Sequence, residues 1–181
     1  VRTPLTAFKP GDAVDIQDAN GKSIGTGYVN PSTLIAARLV DRAGHALDRS
    51  LIVHSLNIAL SLRERLNPGS PYYRLVFGES DGLPGLVLDR YNDVIVGQTS
   101  TAGMERLKPV IAEAIQKVFA PKALVWKNDG NARNLEQLAS EVEVALGEVN
   151  GPVRVEEAGY KFDVDVIDGQ KTGWFYDQRF N

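Results

Sequence analysis

Tyr73-Arg-Leu-Val-Phe-Gly-Glu-Ser-Asp-Gly-Leu-Pro-Gly-Leu-Val-Leu-Asp-Arg-Tyr91 is the stretch on which the fold of this chain turns. Tyr73–Phe77 and Leu86–Leu88 are runs of aromatic, β-branched and aliphatic residues that suit strands. Between them, Gly78, Gly82, Pro84 and Gly85 supply turn chemistry. The pattern predicts two short strands joined by a tight connection. Glu79 and Asp81 lie inside that connection, where acids commonly accept hydrogen bonds from backbone amides. The alternative is a carboxylate pair for acid–base work in a small hydrolase. Tyr91-Asn92-Asp93 reads as the next turn and Val94–Thr99 as a third strand.

Downstream, Leu107, Val110, Ile111, Ala114, Ile115, Val118 and Phe119 recur at helical spacing. Pro109 fits such a helix only in its first turn, because proline has no amide hydrogen to donate. After Pro121 come a buried-type strand at Ala123–Trp126, a polar segment at Asn128–Ser140, and strands at Val142–Leu146 and Tyr160–Val166. Strands, then a helix, then strands give an α+β class with a mixed or antiparallel sheet. Upstream, Asp48 is placed to cap a helix whose Leu51, Ile52, Leu56, Ala59, Leu60 and Leu66 share one face, so Arg49–Leu66 reads as helix. Arg63 and Arg65 suit its C-terminal end, and Asn67-Pro68-Gly69-Ser70 stops it.

The first 47 residues read as three short strands with tight turns: Ala13–Ile16, Lys22–Val29 and Thr33–Val40. Three strands do not close a barrel, so a partial barrel is expected. The predicted organisation is therefore α+β: residues 1–47 as a partial β-barrel, 48–70 as a connecting helix and linker, and 71–181 as a small mixed α/β central domain of strand-strand-helix-strand-strand type.

Composition bounds the chemistry. The 181 residues include 43% hydrophobic side chains, enough for a core. Lys and Arg number 20 against 23 Asp and Glu, a net charge of -3, which excludes binding nucleic acid by bulk positive charge alone. There is no cysteine, so disulfides, thiolate zinc sites and cysteine nucleophiles are absent from this chain. His45 and His54 are the two histidines, and neither has partners at metal-ligand spacing. No apolar run approaches a membrane span of about 18 residues, so a soluble, cytoplasmic protein is expected. A first residue of Val and a last of Asn suggest a piece of a longer protein.

Two short motifs fail on context. Gly25-Thr-Gly27-Tyr-Val-Asn30 imitates a dinucleotide fingerprint but lies between strands, where the fingerprint needs a strand followed by a helix. Asp163-Val-Asp165-Val-Ile-Asp168-Gly169 imitates a calcium loop, yet its third acid falls one position late and its twelfth position is Trp174. Strand alternation, with Phe162, Val164 and Val166 on one face, accounts for it better.

Two longer stretches are far more specific. The 73–91 segment resembles a signature of SAM-dependent RNA methyltransferases, similar to the 23S rRNA cytosine-C5 methyltransferases that carry an N-terminal PUA domain. Gly169-Gln-Lys-Thr-Gly-Trp-Phe-Tyr-Asp-Gln-Arg179 looks like the second signature of that family. Lys9–Ile16 and Gly25–Arg38 resemble the later strands of its PUA barrel.

The resemblance implies three parts: a PUA barrel that contacts RNA, a central α+β domain, and a C-terminal Rossmann-like domain that binds S-adenosylmethionine and carries the catalytic cysteine. This chain would hold the first two in part, so no catalytic residue is expected in it, and alone it should be inactive. Lys171, Thr172, Phe175, Asp177, Gln178 and Arg179 are the implied cofactor-side residues. Cations flanking Trp174 and Phe175 also suit contact with a nucleoside. Lys22, Arg38, Arg42, Arg49 and Arg74 are the candidate RNA contacts, since phosphates are bound by such cations. The expected partner is RNA, 23S rRNA by resemblance, with no membrane contact and a homodimer left open. A standalone, non-catalytic RNA-binding module is the alternative.

Overall fold

The computed structural model describes residues 3–178. Its centre is a five-stranded sheet in the order β4-β5-β6-β7-β8. The strands are β4 (Tyr72–Phe77), β5 (Leu86–Tyr91), β6 (Val94–Thr99), β7 (Ala123–Asn128) and β8 (Glu141–Leu146). All neighbours are antiparallel except β6 and β7, which the helix α2 (Ala102–Phe119) connects in parallel. The α+β class and the mixed sheet are therefore as expected, with the three predicted strands ahead of the helix.

Both faces of this sheet are buried, and strand alternation divides them. Leu75, Leu88, Ile95, Leu124 and Trp126 face α2 and α1 (Arg49–Leu66), meeting Ile52, Leu56, Met104, Ile111 and Ile115. Tyr91, Val94, Val96, Ala123 and Val125 face the other way, toward the hairpin β9 (Val153–Glu157) and β10 (Tyr160–Val164) and the segment that follows it. The predicted helix 49–66 matches in both bounds, and Asp48 Oδ1 accepts the Leu51 amide at 3.0 Å.

Residues 3–47 fold as an antiparallel sheet of β1 (Asp12–Gln17), β2 (Ser23–Val29) and β3 (Ala37–Asp41). Tyr28 joins it to the centre. Its ring is buried in the α1/α2 core, and its hydroxyl donates to Pro84 O at 2.6 Å and lies 2.9 Å from Thr101 Oγ1. Burial pushes that phenol well above its usual pKa. A second tie is the Glu136 carboxylate, which accepts from Asn30 Nδ2 at 2.7 Å and from the Ala102 amide at 3.2 Å. Thr101 makes no side-chain cap on α2, so a distant carboxylate serves its N-terminus.

Four expectations need correction. The third strand begins at Ala37, not Thr33, because Asn30 is held by Glu136 and bonds back to Ser32 and Thr33, so residues 31–36 loop out. Pro109 stands inside α2, since the helix starts at Ala102 rather than near Leu107. β9 was not anticipated; its Val-Arg-Val-Glu-Glu run is too short and too charged to stand out. The polar segment 128–140 holds a short helical turn, Asn131–Glu136, with Arg133 and Glu136 buried.

The Tyr28 joint gives a test. Gly103 lies in the first turn of α2, where a Cβ would overlap the Tyr28 ring. Alanine in place of glycine usually stabilises a helix by about 1 kcal/mol. Here Gly103→Ala should instead destabilise by about 1–3 kcal/mol through overpacking, read as a fall in Tm on thermal unfolding. A rise in Tm would show that the ring gives way freely.

Candidate functional site

The site is built where the two long sequence motifs meet. After β10 the chain runs, without regular strand structure, across the face of the sheet formed by β5, β6 and β7. Asp165 Oδ1 accepts the amides of Ile167 and Asp168 at 2.9 and 2.8 Å and closes the first bend. Those backbone bonds hold its carboxyl below the usual range. Asp163 is paired with Arg154 at 2.6 Å. The acids of the calcium-like run thus serve local structure.

The next turn is strained. Lys171 has φ +53 and Gly173 φ +108, and a Cβ on Gly173 would press against Val164. Glycine takes such angles without penalty; for lysine the left-handed region costs about 1–2 kcal/mol. Thr172, between them, is 1% exposed. Its carbonyl accepts the Tyr91 hydroxyl at 2.8 Å, and its hydroxyl lies beside the Asp89 carboxylate. Arg74 grips the same carboxylate with two bonds of 2.9 and 3.0 Å. Burial pushes the Asp89 carboxyl up, opposed by Arg74 and Thr172.

Outward of this buried base, Lys171 and Phe175 are exposed, with the ammonium 4.7 Å from the ring centroid. Trp174 stacks on Phe162 at 4.7 Å, and its Nε1 is buried with no hydrogen-bond partner among the described residues. Gln178 is exposed at the end of a short turn. Arg179 lies outside the described residues, as does the side chain of Asp177. Of the six expected cofactor-side residues, Lys171, Phe175 and Gln178 share one exposed stretch, while Thr172 points inward.

The expected RNA contacts are dispersed. Lys22, Arg42 and Arg49 are exposed, and Arg49 makes a 3.5 Å pair with Glu113. Arg38 lies between Glu79 and Glu136, at 3.4 and 3.5 Å, and Arg74 holds Asp89, so a phosphate would have to compete for both. Asp81 accepts the Phe77 amide at 2.7 Å and two bonds from Arg63, which makes it an anchor of the 78–85 connection. His45 and His54 line an open cleft at the start of α1, with His45 Nδ1 3.1 Å from Asp41.

Sequence reasoning missed Asp89 and Tyr91 as site residues, although both end the quoted 73–91 motif. The signal was present: an Asp inside a strand with both faces apolar requires a buried partner.

A three-stranded β module fixed through Tyr28 and Asn30 to a doubly covered five-stranded sheet defines an α+β protein with an appended small β domain. Residues 1–42 match the family described as PUA-like domain. The chain is 37% identical over 174 residues to the ribosomal RNA large subunit methyltransferase I of Aliivibrio fischeri strain MJ11, covering 93% of this chain and 44% of that protein. It is 34% identical to the protein of that name from Vibrio cholerae El Tor Inaba, with 94% and 44% covered. Among solved structures, it is similar to a putative SAM-dependent methyltransferase from Streptococcus mutans (TM-score 0.78, 19% identity, 95% of this chain and 44% of that one). A putative methyltransferase complexed with SAH gives TM-score 0.79, also at 19% identity, with 95% and 44% covered. Over its own length the chain is thus similar to proteins named ribosomal RNA large subunit methyltransferase I, and it spans about 44% of the length of the curated relatives it matches.

If the left-handed Lys171 is kept for contact rather than for folding, Lys171→Gly should leave thermal stability unchanged or raise it by up to about 1 kcal/mol. A Tm loss of several degrees would make the lysine structural.

Proposed function

We propose that this chain is the PUA-like and central part of a SAM-dependent RNA methyltransferase acting on large-subunit rRNA, and that the transferred methyl goes to C5 of a cytosine. The observation that carries this reading is the similarity over 93% of the chain, which takes in the 73–91 motif. A cytosine is attacked at C6 by a thiolate to activate C5, and these 181 residues include no cysteine. The nucleophile is therefore supplied from outside this chain, and the chain contributes recognition and positioning.

In this reading, residues 1–47 are the RNA-facing module and 71–181 the central domain, with α1 lending its apolar face to the central core. Lys171, Phe175 and Gln178 stand on the S-adenosylmethionine and target-base side, and the family resemblance assigns Asp177 and Arg179 to the same role. Lys171 over Phe175 offers a cation beside an aromatic face, suited to a nucleoside. Lys22, Arg42 and Arg49 are the phosphate contacts, with Arg38 and Arg74 recruited only if their carboxylates are displaced. No helix among the described residues is long and apolar enough to cross a membrane, in keeping with a cytoplasmic enzyme.

The direct test is transfer of labelled methyl from S-adenosylmethionine to large-subunit rRNA by the full-length parent, with the product mapped. Gln178→Ala in that enzyme should lower turnover at least ten-fold with little change in Tm; unchanged turnover would remove Gln178 from the site. The 181-residue chain alone should transfer none.

RNA affinity should fall with salt as counterions are released. Removing Lys22 and Arg42 together should reduce the log–log slope by about 1.4–1.8, at 0.7–0.9 per phosphate contact. An unchanged slope would place the RNA elsewhere.

A further inference from the structure

Two hydrogen bonds tie the irregular segment 170–176 to one strand, at Thr172 and Tyr176. The Tyr91 hydroxyl donates to Thr172 O at 2.8 Å, with the Trp174 amide beside it. The Asp89 carboxylate lies beside the Thr172 hydroxyl, and Arg74 grips both of its oxygens. The Tyr176 hydroxyl donates to Arg90 O at 2.9 Å, with its ring 5.9 Å from that of Tyr91. Residues 172 and 176 are thereby bonded to β5 with Trp174 turned inward between them, and Lys171 and Phe175 are left outward. β5 thus imposes a strand-like alternation on a segment that pairs with no strand.

Such an arrangement is poor for stability alone. Asp89 and Tyr91 are both 0% exposed, on a face otherwise lined by Val94, Val96 and Val125. Apolar residues of similar volume in place of a buried ion pair commonly leave a fold as stable or more so. What the polar groups add is direction: hydrogen bonds fix the turn at Lys171 in one conformation, including its left-handed backbone, which apolar packing alone would not select. Strain of this kind persists where the surroundings over-determine it.

We propose that Asp89 and Tyr91 are positioning residues for the methyl-transfer reaction: acting through Thr172, they hold the Lys171–Phe175 turn in the geometry that meets the cofactor and target base. Neither touches a ligand. The role rests on the methyltransferase reading above, and it links the two sequence motifs: the 73–91 hairpin is the mount and the 169–179 segment the mounted part. Arg74 belongs to the mount, since its two bonds to Asp89 keep that carboxylate turned toward Thr172.

The test uses the full-length parent enzyme with Tyr91→Phe, Thr172→Val and, as the conservative control, Thr172→Ser. Each removes or keeps one hydroxyl and leaves the Arg74–Asp89 pair intact. Amide hydrogen exchange is followed in peptides covering 170–176 and 123–128, alongside kcat and the KM for RNA. Tyr91→Phe and Thr172→Val should speed exchange in 170–176 at least ten-fold and leave 123–128 unchanged. They should also lower kcat at least five-fold, with the KM for RNA within two-fold of wild type, and Thr172→Ser should restore both readouts. Unchanged exchange in 170–176 overturns the latch. Faster exchange with a smaller loss of kcat makes it a structural contact and overturns the positioning role, as does a loss of protection that spreads to 123–128. Wild-type turnover with unaffected variants overturns the positioning alone. A wild-type parent that transfers no methyl to rRNA overturns the reading beneath it, and the role with it.

Discussion

A strand buried on both faces has nowhere to put a charge, yet β5 carries Asp89 at its centre and ends in Tyr91. A buried carboxylate must be paired and hydrogen-bonded or it destabilises the fold by several kcal/mol. That requirement organises the face around it. Arg74 must come from the neighbouring strand β4, a hydroxyl must come from above, and Thr172 is the residue that brings it. Satisfying one acid therefore fixes both the register of the hairpin and the path of a segment some eighty residues later in the chain.

The opposite face obeys a different logic. Leu88, Ile95, Leu124 and Trp126 meet α1 and α2 through apolar packing, and Tyr28 of the N-terminal sheet enters the same core. Its hydroxyl is not wasted there, because Pro84 O and Thr101 Oγ1 lie within hydrogen-bond reach. Glu136 repeats the device a short way off, joining Asn30 and the N-terminus of α2. The β module and the central sheet are thus held together by buried polar groups as well as by packing. Polar contacts of this sort are directional, so they fix an orientation where apolar contact would allow sliding. For a protein whose proposed work is to present RNA to a distant reacting centre, a fixed orientation between recognition module and core is the useful property.

The costs that this fold accepts are concentrated in one place. The left-handed Lys171, the buried Asp89 and the unpartnered Nε1 of Trp174 all lie along one segment or directly beneath it. Elsewhere, charges pair across neighbouring elements: Asp81 with Arg63, Arg106 with Asp12, and Lys108 with Glu141 and Glu143.

Much of this was legible in the sequence, for definite reasons. Helix α1 could be bounded at both ends because its cap and its stop are local, written in Asp48 and in Asn67-Pro68-Gly69. β6 was equally plain, since a run of buried residues between two turns needs no distant information. The two long motifs carried the family resemblance because they are specific as strings. What the sequence could not decide were the features that depend on partners far along the chain. The late start of β3 follows from a bond between Asn30 and Glu136, 106 residues apart. The inward turn of Thr172, and the commitment of Arg38 and Arg74 to carboxylates, are likewise invisible until the chain is folded. Local propensity and periodicity determined the elements. The choice of partner for each buried polar group, and hence which cations and aromatics remain facing outward, was decided by the tertiary structure, because a hydrogen bond across a core depends on distance in space and not on distance in sequence.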